Sequence, residues 1–252
     1  MGQYFVKDWT GEPFYLFGTG HLAALAVIVL INLSFIWLRR SRNQLLKDRI
    51  RFAITAVLIL AEGAWHVWNI AIGEWTIQTH LPLHLCAVLV WSSVIMLLTK
   101  NYRIYEFAYF LGIAGAAQAV LTPEAGIYGF PHFRVFQTLF AHGAIVTGAI
   151  FMTVVEGYRP TWGSFKRVVI WLNVYAVIVT GINVLIGSNY LYTLHKPNIA
   201  SLMDVLGPWP LYLISLELIA LLFCFLLYLP WIIKDRKIRN MNEVKLAETR
   251  YL

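Results

Sequence analysis

LFGTGHLAALAVIVLINLSFIWLRR, residues 16–40, decides the class of fold. From Leu16 to Leu38 no side chain carries a fixed charge. At 1.5 Å per residue a helix of that length reaches about 34 Å, enough for a bilayer whose hydrocarbon is about 30 Å thick. Arg39 and Arg40 close the run as an interfacial stop. It is too long for a signal-peptide core, and it follows an N-terminus where Lys7 is offset by Asp8 and Glu12, so we read a retained helix. Similar runs recur down the chain, giving expected helices at 16–38, 52–72, 83–99, 104–121, 135–155, 168–187 and 211–233. The expectation is an all-α polytopic membrane protein: one seven-helix transmembrane domain over residues 1–252. The fourth run is rich in Gly112, Ala114, Gly115, Ala116 and Ala117, and small residues let helix backbones approach, so it is placed inside the bundle.

Composition agrees. Of 252 residues 59% are hydrophobic and 13% charged, half the charge of a soluble domain. The net charge of +7 raises nucleic acid as a partner, until the charges are placed in the connections between apolar runs, where topology signals sit. Of the 20 lysines and arginines, all but Lys7, Arg134 and Lys196 fall in the connections after helices 1, 3 and 5 and in the tail. The positive-inside rule then puts the N-terminus outside and the C-terminus in the cytoplasm, with no role in nucleic-acid binding. Cys86 and Cys224 are the only cysteines and form neither a disulfide framework nor a CxxC metal pattern.

Chemistry is expected at LPLHLC, residues 81–86. Proline suits the first turn of a helix, and Cys86 would lie about one turn inside, near the positive end of the dipole, where a thiolate is favoured. In this topology His21, His66, His80, His84, His132, His142 and His195 all fall in the outer half. So do further polar residues of the apolar runs: Glu62 and Asn69, Gln118, Gln137, Asn183 and Glu217. Such groups are costly in hydrocarbon and normally face a bundle interior or a wet cavity. Glu62, His66 and Asn69 share one helical face, and Arg134, Thr138 and His142 share another. His84, two residues from Cys86, points elsewhere, so a base for the thiol must come across helices, from His142 or His66. Taken singly, each residue has a plainer reading: a buried cysteine as a small hydrophobe, a glutamate protonated in the bundle. Their gathering on one side is what favours a site. A three-histidine zinc centre of His66, His84 and His142, completed by Glu62 or water, is the rival chemistry. The long outer connection, residues 188–210, with Tyr190, Tyr192 and Trp209, reads as an interfacial loop or as a lid.

Several motifs carry a resemblance. LPLHLC at 81–86, GIAGAAQAVLTPE at 112–124, FPHFRVFQTLFAHG at 130–143, VEGYRPTW at 155–162 and NYLYTLHKPNIASLMDVLGPWP at 189–210 resemble the YwaF family of bacterial integral membrane proteins. That family is similar to animal transmembrane protein 164, an acyltransferase of ether-phospholipid remodelling, and more distantly to androgen-induced-gene hydrolases of fatty-acid esters, which use threonine and histidine. The resemblance implies a catalytic cysteine and histidine on separate helices, here Cys86 and His142. Cysteine in place of threonine leaves transfer and hydrolysis both open.

The expected function is therefore a lipid acyltransferase or acyl-ester hydrolase with Cys86 and His142 catalytic and an acyl-lipid as substrate, without cofactor or metal. Glu62, His66, Asn69, His84, Gln118, Arg134, Gln137, Asn183 and Glu217 would support it. Arg134 and Lys196 are candidates for a lipid phosphate, although Lys196 more simply snorkels to the interface. The alternatives are a seven-helix ligand-binding protein, sensor or transporter, and a zinc-dependent hydrolase.

Overall fold

A computed structural model describes residues 2–124, 126–197 and 202–250, with no account of the side chains of 202 and 242–250. Regular structure among the described residues is entirely helical. We label the helices α1 (Thr19–Arg40), α2 (Gln44–Ala71), α3 (Leu85–Thr99), α4 (Tyr102–Leu121), α5 (Phe133–Val154), α6 (Trp162–Ile186) and α7 (Leu211–Arg250). The chain is a polytopic helical membrane protein. Six of these helices are long and apolar enough to cross a membrane; α3, with 15 residues, is apolar but shorter. Its length is about 22 Å.

Helix starts differ from the apolar runs where polar side chains cap or extend a helix. α2 begins at Gln44, not 52, because Asn43 accepts a hydrogen bond from the Leu46 N–H and the basic stretch continues as helix. Arg51 within that stretch is buried, donating to the Leu97 carbonyl and pairing with Asp48 at 3.0 Å. α6 begins at Trp162, not 168, through a capping box between Thr161 and Ser164. α4 is α-helical at both ends and π-helical over Ala108–Ala116. α7 runs on through Pro230 beyond the predicted end at 233.

α5 is the central helix. Its membrane window is 78% buried, against 11% for α6 and for α7. Small residues make this possible. A Cβ on Gly148 would sit 3.3 Å from the Leu97 side chain, and one on Gly143 3.0 Å from Ile28. α4 also packs closely, since a Cβ on Gly112 would lie 3.0 Å from Ile145. The outer faces carry Leu30, Trp37, Val177 and Leu185, all exposed, as expected where lipid is the solvent.

The helices alternate in direction. At one end, Arg159 pairs with Asp235 at 2.6 Å, Lys100 with Glu156 at 2.9 Å, and buried Glu106 accepts from Arg167 and from Ser164 at 2.8 Å. The histidines gather toward the other end. His21 bonds the Val120 carbonyl at 2.8 Å, His132 the Val6 carbonyl at 3.0 Å, and His84 packs on Tyr190 with rings 5.0 Å apart. The α2–α3 register follows from the Arg51–Leu97 bond: moving equally far along both helices brings Cys86 level with Glu62. Cys86 is therefore about 13 Å below the end of α2, so α3 starts inside the bundle.

Candidate functional site

The site begins with the backbone at the sunken end of α3. Leu81–His84 turns tightly, with the Leu83 N–H on the Leu81 carbonyl at 2.7 Å, and His84 is the N-cap. The helix thus starts two residues later than Pro82 suggested, and the proline precedes the helix rather than sitting in its first turn. Cys86 consequently lies in the first turn, not one turn inside. The His84 carbonyl takes the Val88 N–H at 3.1 Å, while the N–H groups of Leu85 and Ala87 find no acceptor among the described residues. Free N–H groups at a helix start are an anion site in waiting. The Cys86 sulfur is half-buried, and the backbone N–H of its own residue lies against it. The charges acting on it are the carboxylates of Glu62 and Glu124.

Two helical faces meet beside it. On α5, Arg134 lies 4.0 Å from the Trp65 ring of α2 and donates to Gln137 and, at 2.7 Å, to Thr138 Oγ1. Gln137 Nε2 in turn donates to the Ala61 carbonyl at 3.3 Å. One turn deeper, His142 Nδ1 is 2.8 Å from the Thr138 carbonyl. A carbonyl only accepts, so Nδ1 carries the proton and a neutral His142 presents a bare Nε2 lone pair. Nε2 has no hydrogen-bond partner among the described residues. On α2, the Trp75 indole N–H donates to His66 Nδ1 at 3.0 Å, which places the proton of neutral His66 on Nε2, facing Glu62 at 3.5 Å. Glu62 is 5% exposed, and Oε2 accepts no hydrogen bond among the described residues.

Helical spacing paired Glu62 with His66 on α2 and Arg134 with Gln137 on α5, with Cys86 level with Glu62, while His142 lies further along α5 within electrostatic range of Arg134. Cys86 and His142 do not hydrogen-bond each other. The contact of Gly148 with Leu97 sets the α3–α5 register and puts His142 roughly 7 Å deeper than Cys86. Asn69 is buried on the same α2 face and donates to the Trp65 carbonyl at 2.8 Å. The other expected residues lie elsewhere. His84 packs between Tyr190 and Tyr192 and accepts from the Leu191 N–H at 3.4 Å. Gln118 is exposed at the end of α4, and Glu217 accepts from Asn173 at 2.6 Å, tying α7 to α6. Asn183 holds the loop after α6. The lid reading of 188–210 includes residues 198–201, outside the described residues.

No group of three or more His, Cys, Asp or Glu comes together to hold a metal among the described residues. His66, His84 and His142 do not converge, because Trp75 turns His66 toward Glu62 and the α6–α7 loop holds His84. An apolar groove of about 720 Å³ lies between α1, α2 and α5, lined by Ile28, Phe35, Ile54 and Gly143. It faces away from His142 on α5, so it does not open on this cluster. Trp65, Trp75 and Tyr192 are site residues that helical periodicity gave no reason to choose; the indoles of LAEGAWHVWNIAIGEW were the available signal.

The TMEM164 family model matches residues 16–228. No curated protein and no solved structure matches the chain.

Proposed function

The chain belongs to the TMEM164 family, and on that premise we propose acyl transfer on membrane lipids through a thioester at Cys86, with His142 as general base. The observation that carries it is the His142 tautomer. Its Nδ1–H is committed to the Thr138 carbonyl, leaving the Nε2 lone pair to act as a base, the arrangement a Ser–His pair obtains from its third member. Cys86 Sγ attacks the ester carbonyl carbon as its proton passes to Nε2, directly or through one water. The free N–H groups of α3's first turn receive the oxyanion. Collapse breaks the C–O bond, and His142 returns the proton to the departing alcohol. A lipid hydroxyl or water then attacks the thioester by the reverse steps. Arg134, with N–H groups to spare beyond Gln137 and Thr138, suits a lipid phosphate, and Glu62 with His66 suits the incoming hydroxyl.

Our reading of the topology is seven crossings in the cell membrane, α3 included, with the N-terminus outside and the histidine-rich end facing out. Alternating helix directions and the basic end formed around Arg51, Lys100, Arg159 and Arg167 support it. The bacterial YwaF grouping belongs to the same reading.

Turnover of acyl-labelled phospholipids by purified protein in nanodiscs tests the mechanism. We expect Cys86→Ala and His142→Ala each to lower it at least about 10²-fold. Undiminished turnover in both variants sinks the proposal.

A further inference from the structure

The loop after α6 contains a backbone that sequence alone would not choose. Leu191 and Tyr192 are consecutive non-glycine residues in the left-handed region, with φ of 59° and 54°. Such conformations persist where surroundings over-determine them, and they concentrate at functional sites. Here four elements fix the loop. Asn183 of α6 bonds both the N–H and the carbonyl of Tyr190, each at 2.8 Å. The Tyr190 hydroxyl bridges the Ile77 carbonyl and the Leu81 N–H, each at 2.8 Å. His84 at the start of α3 accepts from the Leu191 N–H, and Tyr212 of α7 donates to the Tyr192 carbonyl.

All this restraint positions one side chain. The hydroxyls of Tyr190, Tyr175 and Tyr212 each donate to a backbone carbonyl, whereas that of Tyr192 has no hydrogen-bond partner among the described residues. Its ring lies 5.4 Å from that of His84, at the mouth of α3, and its phenol is within electrostatic range of Cys86. The Cys86 thiol that Tyr192 faces electrostatically is in turn acted on by Glu62, which is only 5% exposed.

We infer that Tyr192 is a catalytic residue whose hydroxyl joins the N–H groups of α3's first turn in donating to the carbonyl oxygen of the acyl ester at Cys86. The inference rests on the acyl-transfer reading above. As Sγ bonds the carbonyl carbon, the C=O electron pair moves to oxygen, and Tyr192 with the backbone amides stabilises that charge until the C–O bond breaks. Burial, with Glu124 and Cys86 adding to it, holds the phenol above its ordinary pKa, so it stays a donor at neutral pH. A tyrosine that merely anchors the loop at the interface needs only its ring.

The test uses the full chain in nanodiscs and the release of p-nitrophenolate from p-nitrophenyl palmitate in a pre-steady-state burst. This leaving group needs no protonation, so a donor that matters here acts on the carbonyl oxygen. Tyr192→Phe, which retains ring and backbone, is expected to slow the burst on the order of 10²-fold at unchanged thermal midpoint. Affinity for a long-chain trifluoromethyl ketone, which forms a hemithioketal on Cys86, should fall alongside. A wild-type burst rate and ketone affinity in Tyr192→Phe, with both lost in Cys86→Ala, overturn the role of Tyr192 and leave the thioester standing. A burst and ketone adduct that survive Cys86→Ala overturn both.

Discussion

Replacing Asn183 by leucine tests how the outer loop is held, independently of any catalysis. Asn183 is fully buried, and its amide makes four hydrogen bonds: to the Tyr190 carbonyl at 2.8 Å, to Thr193 Oγ1 at 3.0 Å, from Ser188 Oγ at 2.7 Å and from the Tyr190 N–H at 2.8 Å. Leucine preserves the bulk and leaves all four partners unsatisfied, with Ser188 and Thr193 themselves buried. At about 1 kcal/mol net per bond, the loop loses about 4 kcal/mol. The cost falls locally, because α6 and α7 are peripheral while the core is built around α5. Hydrogen–deuterium exchange in nanodiscs, followed by mass spectrometry, should show peptides spanning 187–197 exchanging up to about 10³-fold faster, with α5 peptides unchanged. Unchanged protection across that loop in a folded Asn183→Leu protein would refute the argument that this one amide organises it.

Three further outcomes follow from the same geometry. Cys86 is half-buried and Cys224 only 3% exposed, so a membrane-impermeant maleimide added from outside should label one thiol, lost in Cys86→Ala; labelling only from the inside reverses the topology. His132 accepts the Arg134 N–H on Nδ1 and bonds the Val6 carbonyl through Nε2, and burial holds its imidazole below the ordinary 6.5. The folded state then binds fewer protons than the unfolded chain just below that value, so stability is full above about pH 6.5 and falls as pH drops toward the depressed pKa. The thermal midpoint should therefore decline between about pH 7.5 and 5, less so in His132→Asn, and a flat wild-type profile contradicts this. Trp75→Phe removes the donor that sets the His66 tautomer, and nitrogen-15 NMR of labelled histidine should change from a protonated Nε2 to a mixture; an unchanged spectrum would show that Trp75 does not govern it.

Hydropathy located the helices because each apolar run must satisfy its own backbone in hydrocarbon. It misplaced their starts wherever a helix continues through polar residues. Arg51 reads as a loop charge by composition, yet its guanidinium is satisfied by Leu97 and Asp48, so the basic stretch can stay helical and buried. The start of α3 shows the opposite error. Pro82 is compatible with a first turn, but the tight turn over Leu81–His84 takes it out of the helix and moves the start to Leu85. Within the site, residues fixed by helical period were legible: Glu62 with His66, and Arg134 with His142. Tyr192 was not, since its placement depends on two left-handed residues and on restraints from α3, α6 and α7 that no local pattern encodes.

The sunken start of α3 connects these observations. Had α3 begun level with the end of α2, its free N–H groups would meet interfacial water, where an oxyanion gains little from them. Starting about 13 Å lower, they face a region where Glu62 and Arg134 are largely withdrawn from solvent and a hydrogen bond to developing charge counts for more. The same descent makes α3 too short to span by length alone, and it requires the connection from Ile72 to His84 to dip into the bundle with its backbone satisfied. Tyr190 and Tyr175 supply those bonds, to Ile77, Leu81 and Leu83. A Tyr190→Phe protein should therefore show faster exchange at Leu81 and a less reactive Cys86 toward maleimide, because the turn that aims the first helical turn is released. Unaltered Cys86 reactivity in that variant would separate the turn from the site and remove the reason for α3 to be short.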